Sequence, residues 1–231
     1  MAEALGINAP IVCNSGAIVK EPFHRRTLWR ADFDDRLLAD VLAVFTASNE
    51  PVVSFMDLDA HGPDFLVEQR STGRALFDDY VNQNREHAGV VPGWTLRSEK
   101  DGATRDHFHL CAISTRPAML DFEQVLLARL GDRIRTFVQK SPIYSGTMCE
   151  VLRADAGKWT AVLHVAELWG IAPHEICAVG DDMNDLPMIA GAGLGVAMGH
   201  APTPVLEAAD LVTGDHNHDG VARLIDDVLL K

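Results

Sequence analysis

The residues best suited to chemistry lie in the last third of the chain, where Asp181, Asp182, Asn184 and Asp185 stand within five positions. They follow the short apolar run 176–179, which is typical of a buried strand. Ligand sites in parallel α/β sheets lie at the carboxyl ends of strands. Carboxylate and amide oxygens there suit a hard divalent cation, with Mg²⁺ the first choice. The alternative is a turn that caps the next helix, although one cap does not need four such residues.

Lys158 is the second candidate and lies 23 residues before Asp181, directly after Gly157. The apolar spacing that follows predicts a helix over 158–170. An ammonium group at a helix N-terminus, together with the free backbone N–H groups, suits a phosphoryl oxygen. The alternative is a solvated surface lysine, and only the aspartate cluster downstream favours a phosphate site.

The order of predicted strands and helices differs between the two parts of the chain. From residue 153 onward, short apolar strands alternate with helices, which indicates a parallel α/β sheet. The preceding part is α+β, with predicted helices at 35–47 and 117–130 and a strand at 108–114. Two further segments, 133–138 and 147–152, alternate apolar and polar residues, as half-exposed strands of an antiparallel sheet do.

Two smaller patterns concern aromatic and imidazole side chains. Trp159 and Trp169 lie ten residues apart on the predicted helix, and we expect both to be part of the core. His107 and His109 flank Phe108 on a predicted strand and would share one face. A zinc site at this histidine pair lacks a third ligand nearby.

Composition excludes several classes of protein. The 231 residues carry a formal net charge of −13, which argues against nucleic acid or an anionic membrane as a partner. The longest uncharged window, 188–206, holds four glycines and two prolines and is expected to be turn-rich core rather than a membrane span. The N-terminus has no signal-peptide pattern, and the four cysteines are expected to be buried thiols. We therefore predict a cytoplasmic protein and leave its oligomeric state open.

Several of these motifs resemble one known family. The run Gly180–Met188, followed by Gly195–Ala201, resembles the fourth motif of the haloacid dehalogenase (HAD) superfamily, and is most similar to its Cof-type branch with a large cap. Lys158 matches the third motif and Asp219–Ala222 the usual start of the last helix. The segment Pro10–Val19 is similar to the strand and Asn-Gly-Ala turn that precede the cap, here with Ser15 inserted.

The resemblance implies an α/β fold. A Rossmann-like core with a parallel sheet would consist of residues 1–19 and 153–231, without its first strands. Residues 20–152 would form an inserted α+β cap domain.

The resemblance also implies Mg²⁺-dependent hydrolysis of a small phosphorylated metabolite, such as a sugar phosphate. Asp181 would bind the metal ion, and Asp185 would support the metal site by holding a metal-bound water or Lys158. Lys158 would bind phosphoryl oxygens and, with Asp185, serve catalysis. Asn184 and Asn14 would contact the substrate.

The nucleophile of this family lies in an Asp-x-Asp-Gly-Thr motif on a strand that precedes the segment matched by Pro10–Val19. Only ten residues precede Ile11, which is too few for a βαβ unit of roughly 30 residues. We expect Met1 to be an internal methionine of a longer reading frame or the gene to be truncated, and this chain to be inactive or impaired. A second hypothesis is a non-catalytic fragment or phosphate-binding relic.

A third hypothesis is an intact small-cap phosphatase with Asp57 as its nucleophile. Asp57 and Asp59 follow a predicted strand, and Ser114-Thr115 follows another. Together with Lys158 and the aspartate cluster, they reproduce the order of the superfamily motifs. Ala60-His61, however, replaces the Gly-Thr that would form the tight turn.

Overall fold

The computed structural model describes residues 6, 8–23, 26–57, 62–94, 107–140 and 143–231. The strands in chain order are β1 (Ile11–Cys13), β2 (Ile18–Lys20), β3 (Thr27–Arg30), β4 (Val53–Met56), β5 (Phe65–Val67), β6 (Ala88–Val90), β7 (His107–Ser114), β8 (Ile134–Lys140), β9 (Thr147–Arg153), β10 (Cys177–Gly180), β11 (Leu194–Met198) and β12 (Leu211–Thr213). The helices are α1 (Asp35–Ala47), α2 (Ala75–Gln83), α3 (Arg116–Leu130), α4 (Lys158–Trp169), α5 (Leu186–Gly191), α6 (Thr203–Ala208) and α7 (Gly220–Leu224), with a π-helical turn at Ile225–Leu229. None of the helices in these ranges is long and apolar enough to span a bilayer.

The chain divides into two compact units. The discontinuous unit comprises Met1–Pro22 and Gly157–Lys231, and the inserted unit comprises Phe23–Ala156. The first boundary between the units lies three residues after the one expected at residue 19, and the second lies four residues after the one expected at residue 152. Each unit has apolar side chains packed in its interior.

The discontinuous unit contains the parallel sheet predicted from the alternation of strands and helices. Strand β11 lies between β10 and β12, and both neighbouring pairs are parallel. Helices α5 and α6 cover β11 through apolar contacts of Ile189, Ala197 and Val205. Strands β1 and β2 form an antiparallel hairpin around the turn Asn14–Gly16. The carboxyl ends of β10 and β11 therefore lie side by side at one edge of the sheet.

The inserted unit is α+β, as its sequence pattern predicts. Six of its described strands form one sheet in the order β6-β5-β4-β7-β9-β8, in which only the pair β5 and β6 is parallel among the pairs described. Helices α1 and α3 cover one face, where Phe45 and Phe122 pack edge to face with ring centroids 4.9 Å apart. Helix α2 covers the other face with Phe77, Tyr80 and Val81.

Strand β9 differs from the half-exposed strand that its alternation predicted. Thr147 and Glu150 are both buried, although they are polar. The reason is that helices pack on both faces of the sheet beside β9. Glu150 is satisfied there by Gln139, whose Nε2 donates to its Oε1 at 2.7 Å.

The prediction that His107 and His109 share one face was wrong. A register shift between Phe55 and Met56 of β4 occurs opposite this part of β7. His107 lies 2.6 Å from Ser54 Oγ and stacks on Trp94, on the side of α1 and α3. His109 stacks instead on Phe55, on the side of α2. Such a bulge inverts the side-chain alternation locally, and the strand pattern carries no signal for it.

The expectation that both tryptophans of α4 are buried was also wrong. Trp169 is 55% exposed at the end of α4, whereas Trp159 is partly buried. Trp159 packs closely on α5, since a Cβ on Gly191 would come within 2.5 Å of its Nε1. Spacing alone places both rings on similar faces of the helix, but it does not determine how far the neighbouring elements extend along it.

Candidate functional site

Lys158, Asn184 and Asp185 converge in the discontinuous unit. Lys158 Nζ donates to Asp185 Oδ1 at 2.6 Å and to Asn184 Oδ1 at 3.0 Å. Lys158 is the first residue of α4, and the other two precede α5 in the loop that follows β10. Asp185 is almost fully buried, at 2% exposure, whereas the Lys158 side chain keeps 32% of its surface exposed. The ammonium is therefore oriented by a buried carboxylate while it remains accessible.

Asp185 also determines the conformation of the loop. Its Oδ2 accepts hydrogen bonds from the backbone N–H groups of Asp181 at 3.0 Å and Asp182 at 3.1 Å. The loop lies so close to the end of β10 that a Cβ on Gly180 would come within 2.3 Å of the Asp185 Cβ. Glycine is thus required for this close approach. Both oxygens of Asp185 are engaged, one by Lys158 and the other by the two amides.

Asp181, on the same loop, faces solvent beside this group, with 56% of its side chain exposed. His200 Nε2, from the turn after β11, lies 3.3 Å from its Oδ2. Asp182 makes a local contact, accepting a hydrogen bond from the Met183 N–H at 2.7 Å. The sequence analysis does not predict the contact between Asp181 and His200. It could have been inferred from the position of His200 just after β11, once β11 is known to be the neighbour of β10.

The turn that contains Asn14 lies against the start of α4. Asn14, Ser15 and Gly16 all have positive φ angles, of 51°, 53° and 92°. A Cβ on Gly16 would lie 2.0 Å from the carbonyl carbon of Gly157 and 2.2 Å from the nitrogen of Lys158. The structure therefore brings the backbone of this turn next to the backbone of Lys158, while the contact of Asn14 with a substrate stays a prediction.

Asp57 occupies a different environment, in the inserted unit. Its Oδ2 accepts hydrogen bonds from Thr27 Oγ1 and from Arg30 Nη1, the latter at 3.2 Å. The strand before it, β4, is antiparallel to both β5 and β7. In a parallel Rossmann-like sheet, the strand that carries the nucleophile would have parallel neighbours. The antiparallel neighbours of β4 therefore favour it as a strand of the inserted unit rather than as the strand of a nucleophile. Asp59, Ala60 and His61 lie outside the described residues.

The thiols of the protein are not suited to nucleophilic catalysis. Burial raises the pKa of all four cysteine side chains, Cys13, Cys111, Cys149 and Cys177, and most strongly that of Cys111 and Cys149. A thiol with a raised pKa is protonated near neutral pH, and the thiolate is the reactive form.

A divalent cation fits these groups in one specific way. Among the described residues, no three His, Cys, Asp or Glu side chains converge to hold a metal ion by themselves. Mg²⁺ commonly keeps several waters and takes one or two carboxylates plus substrate phosphate oxygens. The solvent-facing carboxylate of Asp181 suits such a ligand. Asp185 is buried and already accepts three hydrogen bonds, from Lys158 and from two backbone amides, so it is less suited than Asp181 to bind a cation directly.

Comparison with known proteins identifies the family of the chain. The family model of haloacid dehalogenase-like hydrolases matches residues 1–225. The 5-amino-6-(5-phospho-D-ribitylamino)uracil phosphatase YwtE of Bacillus subtilis is 30% identical over 142 residues, which cover 61% of this chain and 47% of YwtE. The matched segments span 30% to 47% of the length of the first four curated relatives.

Solved structures show the same fold. A haloacid dehalogenase-like hydrolase from Bacteroides thetaiotaomicron aligns with a TM-score of 0.71 at 21% identity, covering 98% of this chain and 80% of that one. A sugar phosphatase of HAD subclass IIB aligns with a TM-score of 0.72 at 16% identity, covering 100% and 79%. The Rossmann-like fold with a cap domain, predicted from the motifs, is thereby confirmed. The chain belongs to the family of haloacid dehalogenase-like hydrolases.

Proposed function

We propose that this protein binds a small phosphomonoester, such as a sugar phosphate, at Lys158 with the help of Mg²⁺. The observation that carries the proposal is the convergence of the Lys158 ammonium with Asn184 and Asp185, beside the exposed carboxylate of Asp181. A cation and a partly exposed ammonium together offset the charge of a phosphate dianion. The names of the relatives, which include phosphatases, support the same substrate class.

Each side chain has a distinct role in this proposal. Lys158 binds phosphoryl oxygens at the N-terminus of α4, where free N–H groups also favour an anion. Asn184 orients the ammonium and contacts the substrate, and the turn at Asn14 forms a neighbouring wall. Asp181 binds the cation directly, and Asp185 acts on it through water while it holds Lys158. Mg²⁺ would supply charge neutralisation at the phosphoryl group.

The proposal for catalysis is more restricted. The 231 residues contain no Asp-x-Asp-Gly-Thr run, which is the nucleophile motif of this family. We therefore propose that these residues by themselves bind phosphate and Mg²⁺ but hydrolyse phosphomonoesters weakly or not at all. Phosphate binding without turnover is the second candidate function, and this same observation favours it.

Phosphate binding can be measured without assuming turnover. Isothermal titration with inorganic phosphate in the presence of Mg²⁺ should give a measurable dissociation constant for the wild-type chain. K158A should weaken it at least about tenfold, because a charge-assisted hydrogen bond of about 1.5–3 kcal/mol is lost. K231A is the matched control, since Lys231 contacts only the nearby Asp227 among the ion pairs described. Equal affinity in K158A and K231A would rule out the proposed site.

Turnover of p-nitrophenyl phosphate separates the three functional hypotheses. A chain that only binds phosphate gives no Mg²⁺-dependent release of nitrophenol. An active chain whose turnover is abolished by D57N would restore the small-cap hypothesis with Asp57 as nucleophile. Activity that survives D57N but not K158A would instead show a hydrolase that works through the site at Lys158.

A further inference from the structure

The carboxylate of Asp181 lies beside an imidazole group. His200 Nε2 is 3.3 Å from Asp181 Oδ2, and His200 belongs to the turn that follows β11. Because β10 and β11 are parallel neighbours, the residues after both strands meet at the same edge of the sheet. The contact therefore follows from the topology of the sheet, and both side chains lie within one unit.

A second imidazole supports the first. His216 Nδ1 lies 3.3 Å from His200 Nε2, and the two rings pack edge to face with centroids 4.5 Å apart. A carboxylate can only accept hydrogen bonds, so His200 must carry a proton on Nε2. His216 Nδ1 lies within hydrogen-bond distance of the same nitrogen, and it can only accept when that nitrogen carries the proton. The edge-to-face packing of the two rings restricts the rotation of His200.

We infer that His200, supported by His216, is a positioning residue that holds the Asp181 carboxylate in the orientation that binds a divalent cation. The inference rests on the proposed cation role of Asp181. Hydrogen-bonding partners of metal-binding side chains typically change metal affinity by about 10- to 100-fold. Asp181 is 56% exposed and His200 34% exposed, and water competes for such contacts. We therefore expect an effect near the lower limit.

The same turn provides a matched control. His218 lies two residues after His216, but its Nδ1 contacts Asp215 Oδ1 at 2.7 Å. This contact, together with the backbone N–H of Asn217, lowers the pKa of Asp215. Replacing His218 thus removes an exposed imidazole from the same turn without removing the contact with Asp181.

The test is the binding of Mn²⁺ to the full chain, measured by the loss of the free-ion electron paramagnetic resonance signal. H200A should raise the dissociation constant about tenfold. H200F should do the same, because it keeps a ring against His216 but has no donor. H200Q should retain affinity within about twofold, since its amide nitrogen extends about as far as Nε2. H218A should bind as the wild type does.

D181A separates failure of this inference from failure of the proposed function. If D181A leaves Mn²⁺ affinity unchanged, or if the wild type binds no Mn²⁺, the cation role of Asp181 and the inference both fail. If D181A weakens binding but H200A and H200F do not, the inference alone is wrong. Equal losses in H200A and H218A would also overturn it, because they would indicate a general effect of imidazoles. Circular dichroism of each variant checks that the fold is intact.

Discussion

The buried carboxylate of Asp185 holds three parts of the site at once. It contacts the ammonium of Lys158 through one oxygen and two backbone amides of the preceding loop through the other. Asp181 and Asp182, by contrast, are exposed on the same loop. Three aspartates that are equivalent in sequence thus have different tasks, and burial is what distinguishes them.

Replacing Asp185 should affect both stability and binding. D185N keeps the size of the side chain but removes the charge, so the contacts with Lys158 and one or both amides weaken. We expect a loss of about 1–3 kcal/mol in the free energy of unfolding of the discontinuous unit. Urea denaturation measures it. D182N is the control, because the Asp182 side chain is exposed and, among the hydrogen bonds described, accepts only from the adjacent Met183 N–H. Equal stability of the two variants would show that Asp185 does not organise the loop.

At the scale of elements, the left-handed turn Asn14–Gly16 positions the start of α4. Its contact is with the backbone of Gly157 and Lys158, and the absence of a Cβ on Gly16 is what permits it. A displacement of this turn would therefore move the first residue of α4, whose side chain reaches Asp185.

G16A and G170A form a matched pair that tests this contact. Both glycines have positive φ, and Gly170 ends the same helix at a position where an added Cβ would have no atom within 4 Å. Each alanine costs about 1 kcal/mol in backbone strain. Only G16A must also displace Lys158, so it should weaken binding of inorganic phosphate about tenfold while G170A does not. Titration calorimetry measures the difference, and equal affinities would show that the turn does not position Lys158.

His109 of β7 should make the inserted unit sensitive to acid. Burial lowers its pKa below the ordinary value of 6.5, and nearby Glu150 only partly offsets this. As the pH falls below about 6.5, the unfolded chain takes up the proton before the folded one does. Stability therefore decreases, by up to about 1.4 kcal/mol for each pH unit until the folded state is protonated as well.

The measurement is urea denaturation at pH 7.5 and pH 5.0. H109Q should lose less stability between the two pH values than the wild type, because glutamine does not titrate. H174Q, which replaces an exposed histidine, should show the wild-type dependence. If H109Q shows the wild-type loss as well, His109 is not the group that causes it.

Most elements could be predicted from the sequence, because amphipathic spacing and short apolar runs are local signals. The helices predicted at 35–47 and 117–130 begin and end within a residue of the bounds of α1 and α3. The bulge beside His107 and the burial of Glu150 could not be predicted, since they depend on what packs across the sheet. At the site, the Asp cluster and Lys158 were recognisable from composition and spacing. The contact between His200 and Asp181 was not, because it requires the order of the strands.

At the scale of the whole molecule, the two units have separate apolar interiors. The inserted unit packs α1 and α3 on its sheet around side chains such as Leu126, which is fully buried. The discontinuous unit packs α5 and α6 on β11 around Ile189. Packing energy is local to each interior, so a defect in one should not propagate fully to the other.

Two leucines of α3 test this independence. L126A should destabilise the inserted unit by about 2–5 kcal/mol, because it opens a cavity. L120A should change stability by less than about 0.5 kcal/mol, because Leu120 is 40% exposed. Hydrogen exchange followed by mass spectrometry reports the two units separately. Loss of protection in β10 and β11 as large as in β7 and β9 would show that the units unfold together.

The pairing of Lys158 with Asp185 has a consequence for the order in which ligands bind. Within the pair the formal charges cancel, so the loop after β10 retains the two negative charges of Asp181 and Asp182. A phosphate dianion that arrives first meets this negative potential, whereas a divalent cation that arrives first neutralises it. Binding should therefore be ordered, with the cation ahead of the phosphate. By thermodynamic linkage, each ligand should raise the affinity of the other by the same factor.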